Sequence, residues 1–308
     1  MNAPQHPIAT AEELRGQISE TRRATSAGME ERLYRVHRVL DHGFVRVIDY
    51  MGDDTAICQA ARVSYGKGTK TVQSDEGLIR YLMRHWHTTP FEMCEIKLHV
   101  KLPIFVARQW IRHRTANVNE YSARYSLLSG DTYDPVPEVL APQSTANRQG
   151  REGGYDQDTA FGLAEAIRRH NSASVSLYDK LADGECNLSR ELARIVLPVS
   201  SYTEWYWKID LHNLFHFLHL RADPHAQREI REYAEALCRI VEDWVPMAWA
   251  AFRDYRLDAV SLSAQAADCL RRRLAGKTVT QENSGMGARE WREFLAHFPD
   301  PDAAISPD

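Results

Sequence analysis

The chain has 308 residues, 44% of them hydrophobic and 26% charged, enough for one large domain or two small ones with a real core. A formal net charge of −4 and a pI of about 6.4 argue against a broad electrostatic footprint for duplex DNA, while leaving room for a small basic pocket for one nucleotide. No apolar run approaches the ~20 residues that span a bilayer, and the opening MNAPQHPIATAEELRGQ lacks the apolar core of a signal peptide, so a cytoplasmic location is expected, with neither membrane nor nucleic-acid polymer as a partner.

Residues 1–38 are polar and read as an N-terminal extension, with a surface helix within residues 11–23. The core is expected to start at Leu40 and to run as one domain over residues 39–255. FVRVIDYMG reads as a strand, TAICQAARVSYGKG as a helix running into a loop, and LIRYLMRHWH as a helix stopped before Pro90. In EIKLHVKLP, Ile96, Leu98, Val100 and Leu102 alternate with Lys97, His99 and Lys101, the period of a half-buried strand. Pro103 then opens a helix through IFVARQWIRH, and residues 130–157 read as a long surface loop.

A helix follows over residues 159–181. Ser189 or Asn187 caps RELARIVLP, TEWYWKI reads as a strand, and Asp210 is the N-cap of LHNLFHFLHLR. Asp223-Pro224 marks the start of what should be the longest helix, whose stripe is Ile230, Tyr233, Leu237, Ile240, Val241 and Trp244. Residues 256–308 read as a C-terminal tail with short helices. Separated strands and helices without regular βαβ alternation predict α+β. Neither GxGxxG after a strand nor GxxxxGK[ST] is present. The five cysteines have no CxxC spacing, and no metal site is expected.

The informative segment is ARQWIRHRTANVNEYSARYS, residues 107–126. A helix ends in Arg112-His113-Arg114, with Arg108 one turn before Arg112, and a polar loop then offers Asn117, Asn119, Glu120, Ser122 and Arg124. Guanidinium groups at this density suit a phosphate, which they hold bidentately. Spacing alone leaves a second reading open, since basic residues at a helix C-terminus also complement the macrodipole. Two other features carry rival readings. His212, His216 and His219 share a helix face that could hold a metal, although no HExxH is present. Trp205, Tyr206 and Trp207 could stack RNA bases or could pack in a core.

Arg112-His113-Arg114, seven residues, then Ser122 resembles the signature of the flavin-dependent thymidylate synthases. The match continues through Asn119-Glu120 and Ala123-Arg124-Tyr125-Ser126. HTTPFE at residues 87–92, ARIVLP at 193–198 and LRADPHAQ at 220–227 resemble further blocks of that family in the same order.

The resemblance implies that family's fold, a central, mostly antiparallel sheet flanked by helices, and its reaction. That reaction is reductive methylation of dUMP to dTMP, with methylenetetrahydrofolate as carbon donor, FAD as hydride carrier and NADPH as reductant. It implies FAD contacts at His87, Thr89, Glu92, Arg112, His113, Arg114 and Glu120, and, in a more variable segment, at Asp210, His212 and His216. For dUMP it implies Gln109, Arg112, Glu120, Ser122, Ala123, Arg124, Arg194 and Arg221. Arg221 is the residue implied to act on the uracil ring. A homotetramer with active sites between subunits is implied as well. Asn117 departs from the serine many members carry there. Ser122 reads as a substrate-binding hydroxyl, because Glu120 is not a typical activating base for a serine.

Overall fold

A computed structural model describes residues 11–63, 74–122, 124, 127, 129–145, 150–182 and 186–300. In chain order the elements are α1 (Ala11–Gly16), α2 (Ala27–Arg32), β1 (Val36–Val39), β2 (Gly43–Met51), α3 (Asp54–Val63), α4 (Asp75–Arg84), α5 (Thr89–Glu92) and β3 (Glu95–Pro103). There follow α6 (Ile104–Trp110), β4 (Asn117–Glu120), α7 (Gln157–Ala182), α8 (Arg190–Ala193), β5 (Tyr202–Asp210), α9 (Leu211–Arg221), α10 (Arg228–Trp244) and α11 (Pro246–Phe252). The last are α12 (Ala264–Leu274), α13 (Gln281–Ser284) and α14 (Ala288–His297). The chain divides into two compact units, residues 1–252 and 253–308.

The first unit is built on a five-stranded sheet in the order β1-β2-β3-β5-β4, with every neighbouring pair antiparallel. This is the α+β architecture expected from the pattern. The alternation in β3 sends Ile96, Leu98, Val100 and Leu102 to one face, where all four are fully buried. Trp205 and Trp207 of β5 point to that face and are buried too, so they are core residues and not a stacking platform for bases. The buried stripe of α10, including Tyr233, Leu237, Ile240 and Trp244, belongs to the same core. At the start of β2 Gly43 is obligatory, since a Cβ there would lie 2.0 Å from the Tyr233 hydroxyl.

The opposite face carries charge. Arg46 Nη2 lies 2.6 Å from His99 Nδ1, and His99 Nε2 lies 2.8 Å from Glu204. Arginine can only donate, so Nδ1 accepts and Nε2 carries the proton given to Glu204. Lys101 bonds Asp131 at 2.6 Å on the same side, pinning the start of the segment that leads toward α7, which begins at Gln157, two residues before the expected start.

Several expected boundaries are corrected. Pro103 is the last residue of β3 and the N-cap of α6, with extended backbone, one step earlier than a first-turn position. That helix ends at Trp110, and residues 112–114 follow it in a turn closed by His113 N–H on the Trp110 carbonyl at 3.0 Å. Asn117–Glu120 is an edge strand and not a loop. The longest helix among the described residues is α7, with 26 residues against 17 in α10. Asp223 does not cap α10. It accepts from His225 N at 2.7 Å in a local turn, a competing use of an Asp side chain, and α10 begins at Arg228 with Gln227 as N-cap. Within residues 1–38, Met29 is fully buried and β1 pairs with β2, so that stretch reaches into the first unit's core.

The second unit has its own small core of Cys269, Met286, Trp291 and Phe294. Arg273 lies over the Trp291 and Phe294 rings at 5.5 and 5.2 Å, a cation–π arrangement that uses the basic run for packing.

Candidate active site

The first unit's core helices α6 and α9 bring the central groups together. Asp210 caps α9 by accepting Asn213 N–H at 2.9 Å, and its second oxygen takes the Asn213 amide at 2.7 Å. With its N-terminus held, the helix buries Leu214, Phe215, Phe217 and Leu218 and leaves His216 exposed. Its last residue, Arg221, reaches α6, where Nη2 donates to the Gln109 carbonyl at 3.5 Å.

Arg221 is half-buried, has no carboxylate partner among the described residues, and its buried Nε has no hydrogen-bond partner. Burial depresses its pKa, yet a guanidinium starts so high that it keeps its proton at neutral pH. An uncompensated, partly desolvated cation with a spare donor is costly unless a ligand completes it.

His113 lies beside this group. Its ring centroid is 5.5 Å from that of His216 and 4.9 Å from that of Phe217. Burial, then the Arg221 charge, then His216 push its pKa down to about 4, so it is neutral at pH 7. His113, His216, Phe217, Arg221 and Gln109 therefore form one cluster from two helices and the turn after α6.

The remaining expected site residues are more dispersed. Arg112 and Arg114 are exposed on the turn that carries His113. Glu120 ends β4 and accepts from the Thr203 hydroxyl at 2.7 Å. Ser122 accepts the Arg124 backbone N–H at 3.4 Å. Ala123 lies outside the described residues. His87 and Thr89 are exposed and Glu92 half-buried, on and just before α5. That short helix is seated against α9 by Phe91 on Phe215, with ring centroids 6.3 Å apart. His212 sits half-buried in the first turn of α9. Asp210 spends both oxygens on the cap. Arg194 is exposed and donates to the Glu191 carbonyl at 3.2 Å.

Among the described residues no group of three His, Cys, Asp or Glu side chains is arranged to hold a metal ion, the α9 histidines included.

Two members of the cluster escaped the sequence reading. Gln227 bonds Gln109 across 118 positions of sequence, and Glu229, only 3% exposed, bonds Gln227. Gln227 stands in the quoted LRADPHAQ block, but nothing local marks its partner.

Residues 46–247 match the family described as thymidylate synthase complementing protein. The flavin-dependent thymidylate synthase of Ruegeria pomeroyi is 64% identical over 289 residues, covering 93% of this chain and 96% of that protein. The chain belongs to the flavin-dependent thymidylate synthase family. The Gluconobacter oxydans member is 61% identical over 92% of this chain and 95% of its own. Among solved structures, the UMP/dUMP methylase PolB from Streptomyces cacaoi, bound with 5-Br dUMP, superposes with a TM-score of 0.64. It is 32% identical and covers 72% of this chain and 99% of that one. A flavin-dependent thymidylate synthase is a methyltransferase.

Proposed function

We infer that the Arg221 cluster is where this enzyme methylates dUMP to dTMP. The observation that carries the reading is the orphaned Nε of a half-buried guanidinium next to an uncharged imidazole. A flat, acidic heterocycle such as uracil fits that donor set. Methylation requires C5 of uracil to act as a nucleophile. Arg221 favours negative charge on the ring, and in a water-poor site that charge stabilisation exceeds its value in water.

The donor set also fits a flavin, with the uncharged imidazole of His113 and the exposed rings of His216 and His87 offering flat partners. FAD supplies the hydride that completes the methyl group, after reduction by NADPH, and methylenetetrahydrofolate supplies the carbon. We assign its binding to His87, Thr89, Glu92, residues 112–114, Glu120, Asp210, His212 and His216. Of these, Asp210 acts through the cap that fixes α9.

For dUMP we assign Gln109, Arg112, Glu120, Ser122, Ala123, Arg124, Arg194 and Arg221. The arginines neutralise the phosphate, and Ser122 binds substrate by its hydroxyl. Among the described residues Ser122 makes no hydrogen bond to a base, and its hydroxyl oxygen accepts the Arg124 backbone N–H.

A homotetramer with shared active sites is part of this reading. Arg194 is exposed, and so are the apolar side chains Ile195 and Val199 that follow it in sequence. A neighbouring subunit would cover those side chains and supply Arg194 to a site across the interface. The enzyme is assigned to the cytoplasm. No described helix is long and apolar enough to cross a membrane.

The deciding experiment is an assay of the purified protein. A yellow solution with an oxidised-flavin spectrum, and NADPH-dependent thymidylate formation requiring both dUMP and methylenetetrahydrofolate, are expected. Colourless protein that cannot be loaded with FAD, or turnover that ignores dUMP, would refute the assignment.

A further inference from the structure

Behind Gln109 lies a chain of polar groups whose direction is set at its buried end. Glu229, in the first turn of α10, is 3% exposed. Burial works against its charge. The hydrogen bonds from Gln227 and from its own backbone, together with the Arg151 guanidinium, outweigh that and hold its carboxyl below the usual range.

The carboxylate is therefore an acceptor only. Its Oε1 receives Arg151 Nη2 at 2.9 Å and the Tyr133 hydroxyl at 3.3 Å, and its Oε2 receives Gln227 Nε2 at 2.8 Å. Gln227 must turn its NH2 toward Glu229, which sends its carbonyl oxygen toward α6. That oxygen can only accept, so Gln109 must donate to it through Nε2, as it does. Gln109 Oε1 is left without a hydrogen-bond partner among the described residues, in the residue whose own backbone carbonyl receives Arg221.

We propose that Glu229 and Gln227 are positioning residues that lock the amide of Gln109 with Oε1 toward the ligand, so that the site demands a hydrogen-bond donor there. The two ends of a glutamine amide are nearly isosteric, so without the carboxylate the group turns over at little steric cost and presents NH2 instead. dUMP carries suitable donors, an imide N–H and a sugar hydroxyl. Arg151 and Tyr133 tie the same carboxylate to the segment that leads toward α7, which gives that segment a function at the site. The inference rests on the assignment of Gln109 to dUMP.

The test is a double-mutant cycle on FAD-loaded enzyme, reading dUMP affinity by calorimetry for wild type, Glu229→Gln, Gln109→Ala and the pair. Glu229→Gln should weaken dUMP about tenfold, the scale of one charge-anchored hydrogen bond, and should have no further effect once Gln109 is alanine. Gln227→Met cuts the chain but leaves Glu229 bonded to Arg151 and Tyr133. It should reproduce the pattern even where Glu229→Gln proves unstable.

Equal losses with and without the Gln109 side chain would make Glu229 a structural residue and overturn the proposal. A Gln109→Ala enzyme that binds dUMP like wild type would instead remove Gln109 from the substrate site, and the proposal with it.

Discussion

Arg221 donates to the backbone carbonyl of Gln109 at 3.5 Å, and among the described residues this long bond is the one hydrogen bond on a guanidinium whose buried Nε has no partner. Replacing Arg221 by alanine should lower kcat by roughly 10²–10³, the cost of one charge-stabilising donor removed from a developing anion. The flavin spectrum should survive. Lysine should restore little, because a point charge does not reproduce the planar fork. Steady-state kinetics with NADPH, dUMP and methylenetetrahydrofolate measure this, and an alanine variant within a factor of two of wild type would contradict the role.

Ser122→Ala should keep measurable turnover, with the loss carried mainly by KM for dUMP. A binding hydroxyl contributes about 1 kcal/mol, whereas loss of a covalent nucleophile abolishes the reaction. The same assay decides, since an inactive serine variant would make Ser122 the attacking group.

His113 gives stability a pH dependence. Its pKa in the folded protein is about 4, against an ordinary value of 6.5. As pH falls, the unfolded chain takes the proton first, so the stabilisation is complete above pH 6.5 and is lost on the way down toward pH 4. Urea midpoints should fall between pH 7 and pH 5, and His113→Gln should make that fall shallower. The groups that face His113, Arg221 and His216, stay in place in that variant. Identical slopes in both proteins would exclude His113 as the source.

Asp54 ties α3 to the start of α11. Its carboxylate, 6% exposed, accepts Met247 N–H at 2.8 Å and Ala248 N–H at 2.9 Å. Asp54→Ala leaves those amides buried without an acceptor and should cost about 2–4 kcal/mol, read as a drop in urea midpoint. Asp54→Asn retains one acceptor oxygen and should fall between. Here the loss should appear in stability and leave KM for dUMP unchanged.

The legible parts of the chain were those written by local chemistry. Strict alternation over Glu95–Pro103 specifies a strand with one apolar face, because the side-chain period of an extended chain is two. Asp210 ahead of an apolar run specifies the start of α9, because a carboxylate satisfies orphan N–H groups. The run of Arg112-His113-Arg114 and Ser122 pointed to the family within one segment.

Tertiary structure decided the rest. Asn117–Glu120 has no alternation of its own and becomes a strand because β5 offers an edge to pair with. Asp223 could cap a helix or close a turn, and its short-range bond to His225 takes it for the turn. No local pattern reveals that Gln109 meets Gln227, that Gln227 meets a buried Glu229, or that Arg221 ends with an unpaired Nε. Those facts follow from how α6, α9 and α10 pack. Sequence by itself determined which groups this protein possesses and the elements they ride on. Only packing determined which groups lost water and which lost partners, and those losses give the site its field and its hydrogen-bond direction.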